Sequence, residues 1–317
     1  MNIDLSVIIP LYNEEQVIDE LYQRLKSVLE NLKKEYEIIF INDCSRDKTL
    51  DKLKTIAQKD RRVKIISFKR NFGQTAALAA GFDYASADII ISMDGDLQHL
   101  PEDIPRLIAK MEEGNYDIVT GWREERQDNF LTRKLPSQIA NYLIRLISGV
   151  KIHDFGTTLR IYKKSIIEQL ELYGELHRFI PALASQYSLK INEIPISNPK
   201  RKFGKSNYGL NRIIKVIIDL ITVKFLISYV TKPLQFFGLF GLFFFGTGFF
   251  IALILTILWL FNYLEMPDNY GTLILAVFFM LIGLQIFFVG LNTEINSRIY
   301  MRTSNKKPYF IEEKINF

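Results

Sequence analysis

Cysteine, histidine and tryptophan are scarce in this chain. The single cysteine, Cys44, excludes an internal disulfide framework and any cysteine-rich zinc site. The three histidines, His99, His153 and His177, are too scattered to form a motif. No basic stretch opens the chain: MNIDLSVIIPLYNEE turns acidic quickly and reads as the first strand of a domain, not as a signal peptide. Internal repeats and low-complexity linkers are also missing. Charge is absent from the apolar run Leu234–Leu264 and again from Thr272–Leu291.

Those two runs divide the sequence. The overall 48% hydrophobic content conceals a first region, up to about Tyr208, that mixes charged and apolar residues as a soluble domain does. The first run exceeds the roughly 20 residues needed to cross a bilayer, so a tilt or an interfacial end is expected; the second is about that length. A hairpin buried in a soluble core is the alternative. The loop between them, NYLEMPDNYG, has no Lys or Arg, whereas Lys200, Arg201, Lys202, Lys205, Arg212, Lys215, Lys224 and Lys232 precede the spans, and Arg298, Arg302, Lys306 and Lys307 follow them. The positive-inside rule therefore puts the loop outside and both termini in the cytoplasm. The net charge of +5 and pI near 9.0 fit an anionic membrane surface better than nucleic acid, because the basic residues flank the spans. Expected divisions are a catalytic domain over 1–210, a juxtamembrane amphipathic helix over 211–232, two spans over 233–295 and a cytoplasmic tail over 296–317.

Within the first region strands alternate with helices. Apolar runs at Leu5–Pro10, Tyr36–Asn42, Val63–Phe68, Asp88–Met93 and Tyr116–Thr120 read as strands. Helical spacing covers Glu14–Lys33 and Lys48–Gln58, and an alanine-rich helix ends near Ala85. This pattern predicts an α/β domain with a mainly parallel sheet, whose ligands bind beyond the carboxyl ends of the strands. Leu131–Val150 and Asn211–Ser228 look amphipathic. The first fits an ordinary domain helix or an interfacial one; the second, directly ahead of a span, fits the membrane interface.

The polar segments fall at strand ends. Asp94-Gly95-Asp96, with Gln98 two residues on, offers two carboxylates and an amide oxygen, which are hard ligands suited to Mg²⁺ or Mn²⁺. Asp-x-Asp alone often marks a loop or a cap, so its weight comes from its neighbours. Pro10-Leu11-Tyr12-Asn13-Glu14-Glu15 follows strand one and Asn42-Asp43-Cys44-Ser45-Arg46-Asp47-Lys48-Thr49 follows strand two. A tyrosine ring with acceptors on Asp43 and Glu14 fits a base and ribose, although Asn13, Ser45 and Asp47 also suit helix caps. Arg70-Asn71-Phe72-Gly73-Gln74 adds a cation and a turn at the same edge.

The order PLYNEE, NDCSRDKT, RNFGQ, DGDLQH and RKFGKS resembles family 2 glycosyltransferases of the polyisoprenyl-phosphate group, which includes dolichyl-phosphate mannose synthase and the bactoprenol glucosyltransferases of the GtrB type. The resemblance covers roughly Leu5 to Tyr208, and the two-span tail resembles GtrB-type members in particular. It implies the GT-A fold, with Asp94, Asp96 and Gln98 matching the metal-binding set. Pro10, Tyr12, Asn13, Glu14, Asp43, Arg70 and Asp94 would belong to the nucleotide pocket. Arg123 resembles an arginine that faces the phosphates, and Arg133 and Ser137 match a pair near the acceptor phosphate. Arg201, Gly204 and Ser206 resemble a loop closing on the diphosphate, in a segment otherwise readable as a basic juxtamembrane patch. The Gln-x-x-Arg-Trp segment of processive polysaccharide synthases is missing, which argues for a single transfer. A homo-oligomer, with a tetramer as one form, is also implied, and Lys306–Phe317 is a candidate for a strand exchanged between copies.

The expected reaction is inverting transfer of a hexose to undecaprenyl phosphate or a similar polyprenyl phosphate. UDP-glucose is the favoured donor, followed by other UDP-hexoses and GDP-mannose. A phosphate acceptor is already anionic at neutral pH. Catalysis would then rest on positioning and charge neutralisation, with Asp94 and Asp96 central and Asp154 orienting the acceptor or forming a turn before a strand. The rival readings are transfer to a sugar hydroxyl of a lipid-linked glycan, marked by dependence on a general base, and a non-catalytic nucleotide-binding membrane protein. Arg133→Ala should raise the KM for polyprenyl phosphate more than the KM for the nucleotide sugar in steady-state assays. An equal rise in both would remove its assignment to the acceptor.

Overall fold

A computed structural model describes residues 3–124, 135–169, 176–187, 189–197, 199, 233–263, 265–303 and 307–317. Arg133, Arg201, Gly204, Ser206 and the expected amphipathic helix Asn211–Ser228 lie outside the described residues. Two compact units emerge, one containing the sheet together with Lys307–Phe317 and the other containing two long helices.

Strands β1 (Leu5–Leu11, LSVIIPL) and β2 (Tyr36–Asn42, YEIIFIN) are nearly continuous apolar runs because both of their faces are covered. With β3 (Val63–Phe68), β4 (Ile89–Ser92), β5 (Ile118–Trp122), β6 (Arg160–Lys163), β7 (Ile191–Pro195) and β8 (Ile311–Ile315) they form one sheet in the order β7-β5-β6-β4-β1-β2-β3-β8. β1 runs parallel to β2 and β4, β2 to β3, and β5 to β7. β6 and β8 pair antiparallel with their neighbours. The expected mainly parallel α/β sheet is what forms.

Alternate strand residues feed two cores. Leu5, Val7, Ile9, Ile38 and Phe40 pack with α1 (Ile18–Asn31), α2 (Thr49–Lys59) and α4 (Ile104–Gly114) on one face. Ile8, Ile39, Ile41 and Ile66 pack with α3 (Gln74–Tyr84) on the other. The alanines of α3 let that helix lie close to the sheet, and at Gly81 an added Cβ would stand 2.2 Å from Cγ2 of Ile8.

Element ends depart from the sequence periodicity for local reasons. α1 begins at Ile18 instead of Glu14. The N–H groups of Asn13, Glu14 and Glu15 are taken by Ser45 Oγ, Thr49 Oγ1 and Asp47 Oδ2. β5 begins at Ile118 instead of Tyr116, because the Tyr116 N–H closes the end of α4 on Met111 O, with Asn115 left-handed at φ 45°. The described part of the helix expected over Leu131–Val150 is α5 (Leu135–Ser148). The segment expected to be a tail includes β8, which pairs with β3 of its own chain.

In the second unit, helices Pro233–Leu260 and Met266–Thr303 contain stretches Phe237–Leu260 and Asn269–Asn296 of mean hydropathy 2.3 and 2.6. Both are long and apolar enough to cross a membrane, and only 17% of each is buried, unlike the core helix of a soluble protein. The two helices approach closely through small residues: an added Cβ at Gly283 would lie 2.4 Å from Phe245 N, and one at Gly248 would lie 2.4 Å from Ala276 O.

Gly81→Ala should overpack the interface between α3 and β1. The expected loss is about 1–3 kcal/mol, offset in part by the helix preference of alanine. A lower melting temperature of the detergent-solubilised protein checks it, and an unchanged or raised value would mean that Ile8 can yield.

Candidate active site

The carboxyl ends of β1, β2, β3, β4 and β5 share one edge of the sheet, and the polar segments of the sequence collect there. The loops after β1 and β2 are tied together. Asn13 Oδ1 accepts the Arg46 N–H at 2.7 Å, and Glu15 Oε2 accepts the Lys48 N–H at 2.8 Å. Neither Val17 nor Lys48, which directly precede α1 and α2, makes a side-chain cap bond; Asp47 Oδ1 instead accepts the N–H of Thr49, first in α2, at 3.0 Å, while Asn13, Ser45 and the other Asp47 oxygen join the two loops. Tyr12, 43% exposed, follows β1, and Pro10 lies within it.

Asp43 is buried, and its two oxygens accept the N–H groups of Phe72 at 2.7 Å and Gly73 at 2.8 Å. Burial raises its carboxyl above the ordinary value, and those two donors act in the opposite direction. Its backbone carbonyl also accepts Asn71 Nδ2. The residue expected to face base or ribose thus fixes the loop ahead of α3. Arg70 lies with its guanidinium 4.6 Å from the centre of the Phe72 ring.

The acidic loop follows β4. An added Cβ at Gly95 would stand 2.1 Å from Leu11 Cδ2, so the loop lies flat on β1. Gln74 Nε2 donates to Asp94 Oδ1 at 2.6 Å, and the Gln98 N–H donates to Asp96 Oδ1 at 3.1 Å. Behind them His99 is buried, with its ring nitrogens 3.3 Å from Thr157 Oγ1 and Thr158 Oγ1. Burial and the Arg123 charge push His99 down to about 4, so it stays neutral at pH 7 and its 3.8 Å approach to Asp94 is not an ion pair. No group of three or more His, Cys, Asp or Glu side chains is gathered for a metal among the described residues. Asp94 and Asp96 with the Gln98 amide remain a hard-oxygen donor set that fits Mg²⁺ or Mn²⁺ if substrate oxygens and water complete the shell.

Beyond β5, Arg123 forks onto Asp154 through Nε–Oδ2 at 2.7 Å and Nη2–Oδ1 at 3.0 Å. Asp154 is 3% exposed and also accepts the Gly156 N–H at 2.9 Å. Two residues assigned separately from sequence are therefore partners. Asn141 on α5 donates to His153 O and accepts the Phe155 N–H, which fixes α5 beside this turn. Ser137 is one helical turn earlier on the same face.

Several participants were not singled out by sequence. Gln74 closes the quoted RNFGQ segment, and its position at the start of a helix after a strand was the available signal. Arg160, 1% exposed, donates to the carbonyls of Phe155, His177 and Arg178 and to Thr120 Oγ1. His177 shares a 2.7 Å hydrogen bond with Thr75 Oγ1, next to Gln74. These isolated polar residues in apolar sequence become legible only through contacts across 102 residues in the case of Thr75 and His177.

Residues 6–171 match the model of Glycosyl transferase family 2. A dodecaprenyl-phosphate galacturonate synthase from Rhizobium johnstonii is 38% identical over 318 residues, covering 98% of this chain and 93% of that protein. Among solved structures, glucosyl-3-phosphoglycerate synthase from Mycobacterium tuberculosis, in a complex with Mn²⁺, UDP-glucose and phosphoglyceric acid, matches with a TM-score of 0.55. The identity is 17%, over 70% of this chain and 79% of that one. Its complex with UDP gives a TM-score of 0.54 at 18% identity, over 70% and 80% of the two chains. At these identities the likeness concerns the fold, which is GT-A.

The buried histidine beneath the site makes stability depend on pH. Burial and the charges of Arg178 and Arg160 push His177 down to about 3 from 6.5. A depressed value means that its contribution is present above about pH 6.5 and is lost as pH falls toward 3, at up to about 1.4 kcal/mol per pH unit. His177→Gln should flatten the fall in denaturation midpoint between pH 7 and pH 5, with His99 retaining part of the slope. An unaltered slope would show that His177 does not report on folding.

Proposed function

This chain belongs to glycosyltransferase family 2 and is a glycosyltransferase, and on that premise we propose that it transfers one sugar from a nucleoside diphosphate to the phosphate of a membrane polyprenyl phosphate. The observation that carries the reading is the gathering of Asp94, Asp96 and the Arg123–Asp154 pair at one sheet edge, in a chain with two helices apolar enough to cross a membrane. A lipid acceptor gives those helices a reason to exist, since its phosphate lies at the bilayer surface. The relative of 38% identity is named for a polyprenyl-phosphate product, which supports the acceptor class. The catalytic unit and C-terminus are assigned to the cytoplasmic side by the basic residues that flank the spans.

In this reading a phosphate oxygen of the acceptor forms a bond to the anomeric carbon as the bond from that carbon to the diphosphate breaks, and the configuration inverts. The nucleoside diphosphate leaves with the electron pair. The acceptor's second proton is lost near pH 6, so no residue has to remove it. Tyr12 offers a half-exposed ring to the base, and the loops carrying Asn13, Glu14 and Asp43 frame the ribose. Arg123, oriented by Asp154, faces the phosphates. Mg²⁺ or Mn²⁺ held by Asp94, Asp96 and Gln98 would neutralise charge on the diphosphate.

UDP-glucose is the proposed donor, from the likeness of the two-span tail to bactoprenol glucosyltransferases. UDP-galacturonate is the second reading, favoured by the relative's name. Radiolabel transfer from a panel of sugar nucleotides to undecaprenyl phosphate, with Mg²⁺, Mn²⁺ or EDTA, tests donor and acceptor together. Metal-dependent labelling of the lipid by one donor is expected. Asp96→Ala should lower transfer by about a hundredfold or more while the protein remains folded in the membrane. Substantial retained activity would remove the metal role, and labelling of a glycan hydroxyl in place of the lipid phosphate would favour the rival acceptor.

A further inference from the structure

The segment Lys307–Phe317 follows the second apolar helix in the chain, yet it packs within the sheet unit. Tyr309 is buried, with its ring stacked on Phe68 at 5.3 Å and 14°, and its hydroxyl donates to Asp83 Oδ2 on α3 at 2.5 Å. Phe310 accepts the Lys69 N–H through its carbonyl at 3.2 Å, and its ring lies 6.1 Å from that of Phe72. Phe72 in turn meets Phe68 edge-on at 5.6 Å. The far end of the segment is fastened separately: Asn316 Nδ2 donates to the carbonyls of Ala57 and Val63, and Lys54 pairs with Glu313 at 2.6 Å.

Residues 69–74 are thus held from two sides. On one side, Tyr309 and Phe310 grip Phe68, Lys69 and Phe72. On the other, the same stretch supplies the N–H groups that bind Asp43 and the Gln74 amide that orients Asp94. We propose that Tyr309 and Phe310 are positioning residues for the donor site, setting the segment between β3 and α3 through aromatic packing and one backbone bond. The inference rests on the reading of Asp43 and Asp94 as part of a nucleotide-diphosphate site. It accounts for the placement of aromatic residues against that loop by a segment far away in sequence.

The test uses the full chain in detergent micelles, with three variants and one control. Tyr309→Ala and a chain ended before Lys307 remove the packing, Tyr309→Phe keeps the ring and removes only the hydroxyl, and Glu312→Ala alters an exposed residue of the same segment, in β8. Hydrogen exchange at the Phe72 and Gly73 amides, the UDP dissociation constant with Mn²⁺, and KM values for donor and lipid are measured for each. Tyr309→Ala should speed exchange at those amides and raise the UDP dissociation constant and donor KM by about tenfold, leaving the KM for polyprenyl phosphate unchanged. Tyr309→Phe should restore most of the donor affinity, and Glu312→Ala should match the wild type. Unchanged exchange at Phe72 and Gly73, or equal rises in both KM values, would overturn the proposal. Failure of the truncated chain to fold leaves the decision with Tyr309→Ala. If the wild type binds no nucleoside diphosphate, the functional reading falls and the donor-site role falls with it, while amide exchange still decides whether the tail holds the loop.

Discussion

The carboxylate of Asp43, buried at the end of β2, holds the N–H groups of Phe72 and Gly73, and much of the site is arranged around that clamp. Desolvating a carboxylate is costly, and two backbone donors return about 1.5–3 kcal/mol each when the acceptor is charged. The clamp fixes where α3 begins, and Gln74, first in that helix, reaches Asp94 Oδ1 at 2.6 Å. Thr75, next in the helix, bonds to His177, whose carbonyl receives Arg160. A single buried charge therefore connects the second, third and fourth strand ends to the polar layer beneath them.

That arrangement stores backbone strain. Asn13, Cys44 and Leu97 have positive φ at 58°, 58° and 59°, and each follows a strand whose end belongs to the site. Gly73, at φ 88°, opens α3. Non-glycine residues in this region cost about 1–3 kcal/mol each. For Asn13 the compensation is visible in its bonds to Ser45 and Arg46, and for Leu97 in a side chain buried in the core on the α1 face of the sheet. The sheet beneath is buried on both faces, and this rigidity lets its loops keep such conformations.

The strands were legible because burial on two faces leaves continuous apolar runs such as YEIIFIN, and the acidic tip was legible because two carboxylates break such a run abruptly. Helix starts were less so: periodicity places α1 at Glu14, but that stretch forms a turn, with the Val17 N–H on Glu14 O, and is tied to side chains about 32 residues later. The pairing of Arg123 with Asp154 escaped for a related reason. Each side chain had a plausible partner in a ligand, and only the folded turn after α5 shows that they satisfy one another. β8 was legible in part: Lys306–Phe317 was a candidate strand, but its pairing with β3 of the same chain spans more than two hundred residues and leaves no mark in IEEKI, whose three central residues are all charged.

The two acidic features of the site each meet a donor of a different kind, a guanidinium at Asp154 and a carboxamide at Asp94. Asp154 is set by a guanidinium, so its negative charge is matched, and Arg123 is presented as a rigid planar donor whose charge is already moderated. Such a pair can orient an incoming phosphate without binding it so tightly that release becomes slow. Among the donors that direct Asp94 and Asp96 are the Gln74 carboxamide and the Gln98 backbone N–H, neutral groups that fix the direction of an oxygen. Under the proposed function, Asp94 and Asp96 after β4 would draw a cation and Arg123 after β5 would draw an anion, which puts the two attractions at different strand ends. If the acceptor is a phosphate, as proposed, that separation serves the reaction, because the departing diphosphate and the arriving phosphate would both carry negative charge and would have to be held apart until the anomeric carbon passes between them.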